Sequence, residues 1–227
     1  MIKINKIIYP SSKLETYKLS KNFIEQPNFE LHHIYRALEV ISKENEFIQA
    51  ELYKNSLNKS KRNTGILYYD CTNYFFELEE EDGLKQYGPS KEHRNTPIVQ
   101  MGLFMDGDGI PLAFNITPGN TNEQTPLTPT EQKILDDFKL SKFIVCTDAG
   151  LASVNNRKFN NKEDRAFITT QSIKQSKKYL KEWALSPIGW KLNEALKEYD
   201  ISKLGDSVEE IIKVNKRNIL HMKKLIH

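Results

Sequence analysis

Two short stretches constrain the fold of this chain more than any others. Ile66-Leu67-Tyr68-Tyr69-Asp70-Cys71-Thr72 is an apolar, aromatic run that closes on one acid. Phe143-Ile144-Val145-Cys146-Thr147-Asp148-Ala149-Gly150 repeats the design. Such side chains suit a pleated, half-buried surface. A carboxylate at the end of a buried strand is costly to desolvate unless something binds it, and a metal cation is the obvious partner. The other reading is that each aspartate caps a loop or a following helix. Two such strand ends in one chain favour the first reading.

The order of patterns around these runs sets the fold expectation. Residues 1–62 read as helical. Pro27-Asn28 supplies a start signal with Asn28 as cap, and Leu31, Ile34, Tyr35, Leu38 and Ile41 fall on one helical face. Phe47, Ile48 and Leu52 continue the pattern after a polar break at Lys43 to Glu46. His32 and His33 have no neighbour that completes a metal-ligand spacing, and read as surface or packing residues. Lys54 to Arg62 reads as a polar, basic linker and a first boundary.

Strands follow at Ile66 to Asp70, continued by Tyr74 to Phe76, then Ile98 to Met105 and Ile110 to Ile116 around the turn Asp106-Gly107-Asp108-Gly109. That turn is not a calcium loop, because its twelfth position is Thr117 where a glutamate is required. Glu131 to Phe138 reads as an amphipathic helix, the Asp148 strand comes next, Asn155 to Asn161 is polar, and Arg165 to Thr170 is a fifth strand. Leu192 to Tyr199 reads as a further helix, and Val208 to Ile226 as a lysine-rich stretch of loose helical periodicity. Three strands, a helix, a fourth strand and a fifth is the order of an RNase H-like α/β core, a mixed sheet with flanking helices. In that order strands one and four are neighbours, so Asp70 and Asp148 meet. The expected division is a helical segment at 1–62, the core at 63–171, and a third region at 172–227.

With 227 residues, 38% hydrophobic and 28% charged, the chain has enough apolar side chains for a core. A net charge of +3 announces no nucleic-acid partner by itself, so clustering has to. The loop Tyr87-Gly88-Pro89-Ser90-Lys91-Glu92-His93-Arg94 offers Lys91, His93 and Arg94, and a second cluster holds Lys174, Lys177, Lys178 and Lys181. Either can be a phosphate contact or a solvated face. No apolar run reaches membrane-spanning length and Met1 to Pro10 is no secretory signal, so the expectation is a cytoplasmic protein whose Cys71 and Cys146 pack as thiols.

These stretches carry a resemblance. Leu67 to Thr72, Tyr87 to Arg94, Gly102 to Leu112, Pro118-Gly119-Asn120-Thr121 and Cys146 to Gly150, in this order, resemble the DDE transposases of bacterial insertion sequences. The subgroup is the one with a segment inserted between the second and third acid. Residues 7–62 resemble the helical segment upstream of that core. The resemblance implies an enzyme that binds transposon-end and target DNA, self-associates, and cleaves and transfers strands with magnesium or manganese. Asp70 and Asp148 match its first two acids and metal ligands.

The third acid of that family is a glutamate within a tyrosine, arginine, glutamate, lysine signature, and this chain lacks the signature. Tyr199 is not followed by it, and Glu194, Glu198, Glu209 and Glu210 stand outside it. The expectation is a transposase copy truncated at both ends and missing its third acid. The alternatives are a remnant that only binds DNA, and a module whose aspartates are caps.

Overall fold

The computed structural model describes residues 9–162, 164–192, 197–203, 210–215 and 218–223. The helical reading of residues 1–8, and of 193–196, and Glu194 and Glu209 among the glutamates, lie outside the described residues. The chain forms two compact units, residues 1–147 with 153–168, and residues 148–152 with 169–227.

Among its described residues the first unit opens with three helices. Helix α1 spans Lys13–Ser20, capped by Ser12, whose side chain accepts the Glu15 N–H at 3.1 Å. Helix α2 spans Leu31–Lys43 and α3 spans Asn45–Leu57, broken at Glu44. The α2 cap is Glu30 rather than Asn28, and His33 Nδ1 accepts the Glu30 N–H at 3.1 Å. Of the expected apolar stripe only Ile34 is buried, whereas Tyr35, Leu38 and Ile41 are exposed, as are Phe47 and Leu52. Helix α3 instead docks through a polar and an aromatic residue one turn apart. Gln49 accepts the Phe114 N–H at 2.6 Å, and Tyr53 stacks on Phe138 with centroids 4.6 Å apart.

A five-stranded mixed sheet follows, with order β3-β2-β1-β4-β5. Strand β1 is Ile66–Phe75, β2 is Ile98–Asp106, β3 is Pro111–Pro118, β4 is Ile144–Thr147 and β5 is Ala166–Thr169. Strands β1, β2 and β3 pair antiparallel, and β4 runs parallel to β1 with Ile66, Leu67 and Tyr68 opposite Ile144, Val145 and Cys146. This is the RNase H-like order, with helices beside the sheet. Helix α4, Leu127–Asp137, lies between β3 and β4. It begins four residues before the expected start, because Pro129 falls in the first turn, where proline costs no hydrogen bond. Helix α5, Val154–Asn160, occupies the stretch read only as polar; Ser153 caps it by accepting the Asn156 N–H at 3.1 Å.

Alternation along β1 and β2 separates two sheet faces. Leu67, Tyr69 and Cys71 with Ile98, Gln100, Phe104 and Asp106 face a buried layer. Ile66, Tyr68 and Asp70 lie on the opposite, exposed face. Gly102 is required in the buried layer, since a Cβ there would lie 2.2 Å from the Tyr69 hydroxyl.

The expected basic linker ends in a buried residue. Arg62 Nε donates to Asp106 Oδ2 at 2.6 Å, and its Nη2 donates to the Ile110 and Pro111 carbonyls at 3.1 Å each. Asp106 is 0% exposed and its other oxygen accepts the N–H groups of Asp108 and Ile110, which closes the β2–β3 turn. Burial alone pushes the Asp106 carboxyl up; Arg62 and the two backbone donors outweigh it and hold the group below the usual range. Arg62 was legible only as charge, because its partner lies 44 residues away.

The second unit contains helix α6, Lys178–Leu185, and a four-stranded antiparallel sheet of order β7-β6-β8-β9. Its strands are β6, Trp190–Leu192, β7, Glu198–Tyr199, β8, Glu210–Asn215, and β9, Asn218–Lys223. Both ends of the expected 192–199 helix and much of the expected helical 208–226 stretch are therefore strand. Ile211, Ile212, Val214 and Ile219 suit either period over so short a run, and pairing of β8 with the distant β6 decides it. Lys213 is buried here and donates to the Ser186 carbonyl at 2.8 Å beside the rings of Trp183 and Trp190. Burial depresses its ammonium pKa. The two tryptophans are thus packing residues, as expected.

Candidate functional site

Asp70 is the fifth residue of the ten-residue β1, not its last, with Leu103 opposite on β2. The strand runs through it because Tyr74 and Phe75 continue the pairing with Val99 and Ile98. On the other side, the parallel partner β4 ends at Thr147. Asp70 thus stands just beyond the point where β1 loses that partner. Its side chain is 67% exposed, so the carboxylate is not desolvated as the strand-end reading supposed. Oδ1 accepts the Cys71 N–H at 2.8 Å, and Oδ2 accepts no hydrogen bond from a described residue.

Asp148 follows the last residue of β4, as expected, and is also exposed. It heads the 3₁₀ turn Ala149–Leu151, where Oδ1 accepts the Leu151 N–H at 3.1 Å. Its carbonyl accepts the Thr169 hydroxyl at 3.0 Å. Asp148 therefore does act as a cap, and the cap uses Oδ1. In the β1–β4 register Tyr68 faces Cys146, and each aspartate is two residues further along its own chain.

The loop after β1 is held on the sheet by backbone contacts. Gln86 and Ile98 exchange N–H to carbonyl bonds at 3.0 and 2.9 Å, and the Gly119 N–H donates to the Leu84 carbonyl at 3.2 Å. A Cβ on Gly88 would lie 1.9 Å from the Gly119 carbonyl oxygen, so two glycine backbones meet at this crossing. The acidic turn before it helps to hold the loop. The Glu81 carboxylate accepts the Tyr87 N–H at 2.8 Å, and the Glu79 carbonyl accepts the Tyr87 hydroxyl at 2.8 Å.

Beyond Gly88 the chain turns tightly. The His93 N–H donates to the Ser90 carbonyl at 3.1 Å, with His93 in the left-handed region at φ 54°. The turn brings Lys91 back to β1. Its ammonium donates to the Cys71 carbonyl and lies 4.0 Å from Asp70 Oδ1, with the side chain 49% exposed. Arg94 stacks on Phe75, its guanidinium carbon 3.8 Å from the ring centroid, and its Nε lies 2.9 Å from Glu92 Oε2. The three expected DNA contacts of this loop thus have separate local settings: Lys91 against Asp70, Arg94 on an aromatic ring, and His93 in the turn.

Glu123 is an acid at this corner that sequence reasoning missed. Its backbone carbonyl lies 3.7 Å from Cys71 Sγ, and its charge, with that of Asp70, acts on Tyr69 and Cys71. Burial pushes the Tyr69 phenol and the Cys71 thiol upward; the hydrogen bond between them adds to the shift of Tyr69 and offsets part of that of Cys71, and the two acids raise both further. Its only signal was its place just after the Pro118-Gly119-Asn120-Thr121 turn, where no apolar run marks a strand. Both cysteines are free thiols.

In the second unit the basic cluster does not form one helical face. Lys174 lies in a turn, Lys177 is the residue before α6, and only Lys178 and Lys181 are helical. Lys178 is 3.9 Å from Glu182. Glu198 lies on β7, 3.7 Å from Lys191 Nζ, and Glu210 begins β8, so neither is the helical acid expected of it.

Exposed carboxylate oxygens are the kind of donor that a hard divalent ion takes. Asp70 and Asp148 each present an exposed carboxylate whose orientation is fixed by one backbone N–H, and magnesium accepts few protein oxygens because it retains waters. Among the described residues no group of three or more His, Cys, Asp or Glu side chains gathers as a metal site. No helix of the described residues is long and apolar enough to cross a membrane.

No protein-family model matches the chain, and no curated protein matches it. Solved structures to which it is similar include a piggyBac transposase synaptic complex with hairpin DNA, at 15% identity and a TM-score of 0.34 over 51% of this chain and 24% of that one. A Mos1 transposase paired-end complex with the left transposon end matches at 10% identity and a TM-score of 0.34, over 81% of this chain and 68% of that one. A Mos1 mariner paired-end complex with Mn matches at 13% identity and a TM-score of 0.34, over 57% and 42%. The chain thus spans about a quarter of the piggyBac chain's length.

Proposed function

We propose that this chain is a DDE-type transposase of a bacterial insertion sequence, acting on DNA phosphodiesters through a divalent ion held by Asp70 and Asp148. The observation that carries the reading is the parallel pairing of β1, the strand that holds Asp70, with β4, the strand that leads to Asp148. The motifs from Leu67 to Gly150 supply the reaction class.

A magnesium or manganese ion held by Asp70 and Asp148 would supply Lewis-acid polarisation of the phosphodiester and activation of a water or sugar hydroxyl. The residues of this chain supply the rest. Asp70 accepts the Cys71 N–H and Asp148 the Leu151 N–H, and each bond favours one orientation of its carboxylate. Arg94, His93 and the cluster Lys174, Lys177, Lys178 and Lys181 are proposed to meet phosphates of transposon-end and target DNA, and copies of the chain to assemble on it. In this reading the site lacks the third acid of the family signature, which the sequence does not contain. One ion is then held more weakly, and nicking survives where strand transfer fails.

The test is nicking of supercoiled plasmid with manganese. The full chain should convert plasmid to open circles, and Asp70→Asn or Asp148→Asn should reduce the rate at least a hundredfold. DNA binding that persists, with a steep salt dependence but no nicking in any chain, would instead indicate a remnant that only binds DNA.

A further inference from the structure

Lys91 sits where a phosphate contact is not expected. A lysine that serves DNA points its ammonium at solvent; this one is folded back onto the strand that carries the candidate ligand. It donates to the Cys71 carbonyl and stands 4.0 Å from Asp70 Oδ1. The placement is built. The Gln86–Ile98 exchange and the Gly88–Gly119 crossing fix the loop upstream. The Ser90–His93 turn, closed at the cost of a left-handed His93, returns the chain. Arg94 on Phe75 fixes it downstream, on the same strand as Asp70.

We infer that Lys91 is an internal counter-cation of Asp70: its ammonium occupies the charge field that a divalent ion needs, and metal binding has to work against it. This rests on the reading that Asp70 is a metal ligand. Lys91 is then a positioning residue that sets metal affinity, and binding of the ion releases its ammonium from the carboxylate. Two like charges cannot share one exposed carboxylate without mutual cost. At 4 Å in a water-like dielectric a unit pair is worth about a fivefold change in an equilibrium constant, and a divalent ion feels more.

The experiment titrates manganese alone into the full chain and reads the free ion by electron paramagnetic resonance. Wild type, Lys91→Met, Lys91→Arg, Asp70→Asn and the Asp70→Asn/Lys91→Met double variant are compared, each checked for folding by circular dichroism. Lys91→Met should bind manganese about fivefold tighter or more. Lys91→Arg, which keeps the charge, should resemble wild type. The double variant should bind no tighter than Asp70→Asn, which assigns the effect to Asp70 rather than to Glu123.

If wild type binds manganese through Asp70 and Lys91→Met leaves that affinity unchanged or weaker, the inference is overturned while the metal reading stands. If no chain binds manganese, the metal reading fails and the inference with it. If Lys91→Met instead leaves manganese untouched, weakens DNA binding and lowers its salt slope by about one, Lys91 is a phosphate contact and the inference is wrong.

Discussion

At the scale of single residues, the informative charges are the buried ones. Glu131 is 0% exposed, and Arg165 lies 3.4 Å away through Nη1. Burial raises the Glu131 pKa, partly offset by Asn160 and Arg165, to about 7. Its pKa is higher folded than unfolded, so the folded state binds more protons between pH 4.5 and about 7. The sign follows: stability falls as pH rises through that window, by at most about 1.4 kcal/mol per pH unit from this group, and levels off above it. Glu131→Gln should flatten this slope, which urea midpoints at pH 5 and pH 8 would reveal. Nothing in the sequence marked Glu131, because a glutamate on an amphipathic helix reads as surface. Asp70 shows the opposite error. Its place on a strand was legible from the apolar run before it, but its exposure was not: alternation puts residue 70 on the face of Ile66 and Tyr68, which is exposed.

At the scale of elements, the strands with long apolar runs were legible and those without were not. Strands β2 and β3 could be read because an Asp/Gly turn separates two apolar runs. Strand β1 was read in two pieces, Ile66 to Asp70 and Tyr74 to Phe76, whereas β2 pairs along the whole stretch from Leu67 to Phe75. Strand β8 was hidden because its partner β6, distant in sequence, and not local pattern decides so short a segment, and β9 follows it as the other arm of a hairpin. The loop from Leu84 to Arg94 tests the same point experimentally. Gly88→Ala puts a methyl group against the Gly119 backbone, which cannot yield as a side chain would. Amide exchange should quicken at Gln86 and Gly119, whose donors hold the loop, while Tyr69 within β1 stays slow. Unchanged exchange at both amides would mean that the crossing does not fix the loop.

At the scale of the whole chain, the first unit includes the helical segment as well as the sheet. Arg62, last of the residues read as a separate segment, joins the two through Asp106. Arg62→Met leaves a buried carboxylate unpaired and should cost about 3–5 kcal/mol in urea denaturation. Adding Asp106→Leu removes that charge and should recover part of the loss, less the turn bonds to Asp108 and Ile110. Equal stability of Arg62→Met and wild type would show the pair to be idle. The consequence reaches beyond stability. Coding sequences recombine, and a crossover between positions 62 and 106 separates guanidinium from carboxylate. Hybrids that inherit only one of the two should be lost, so lineages of such chains should change these positions together or not at all.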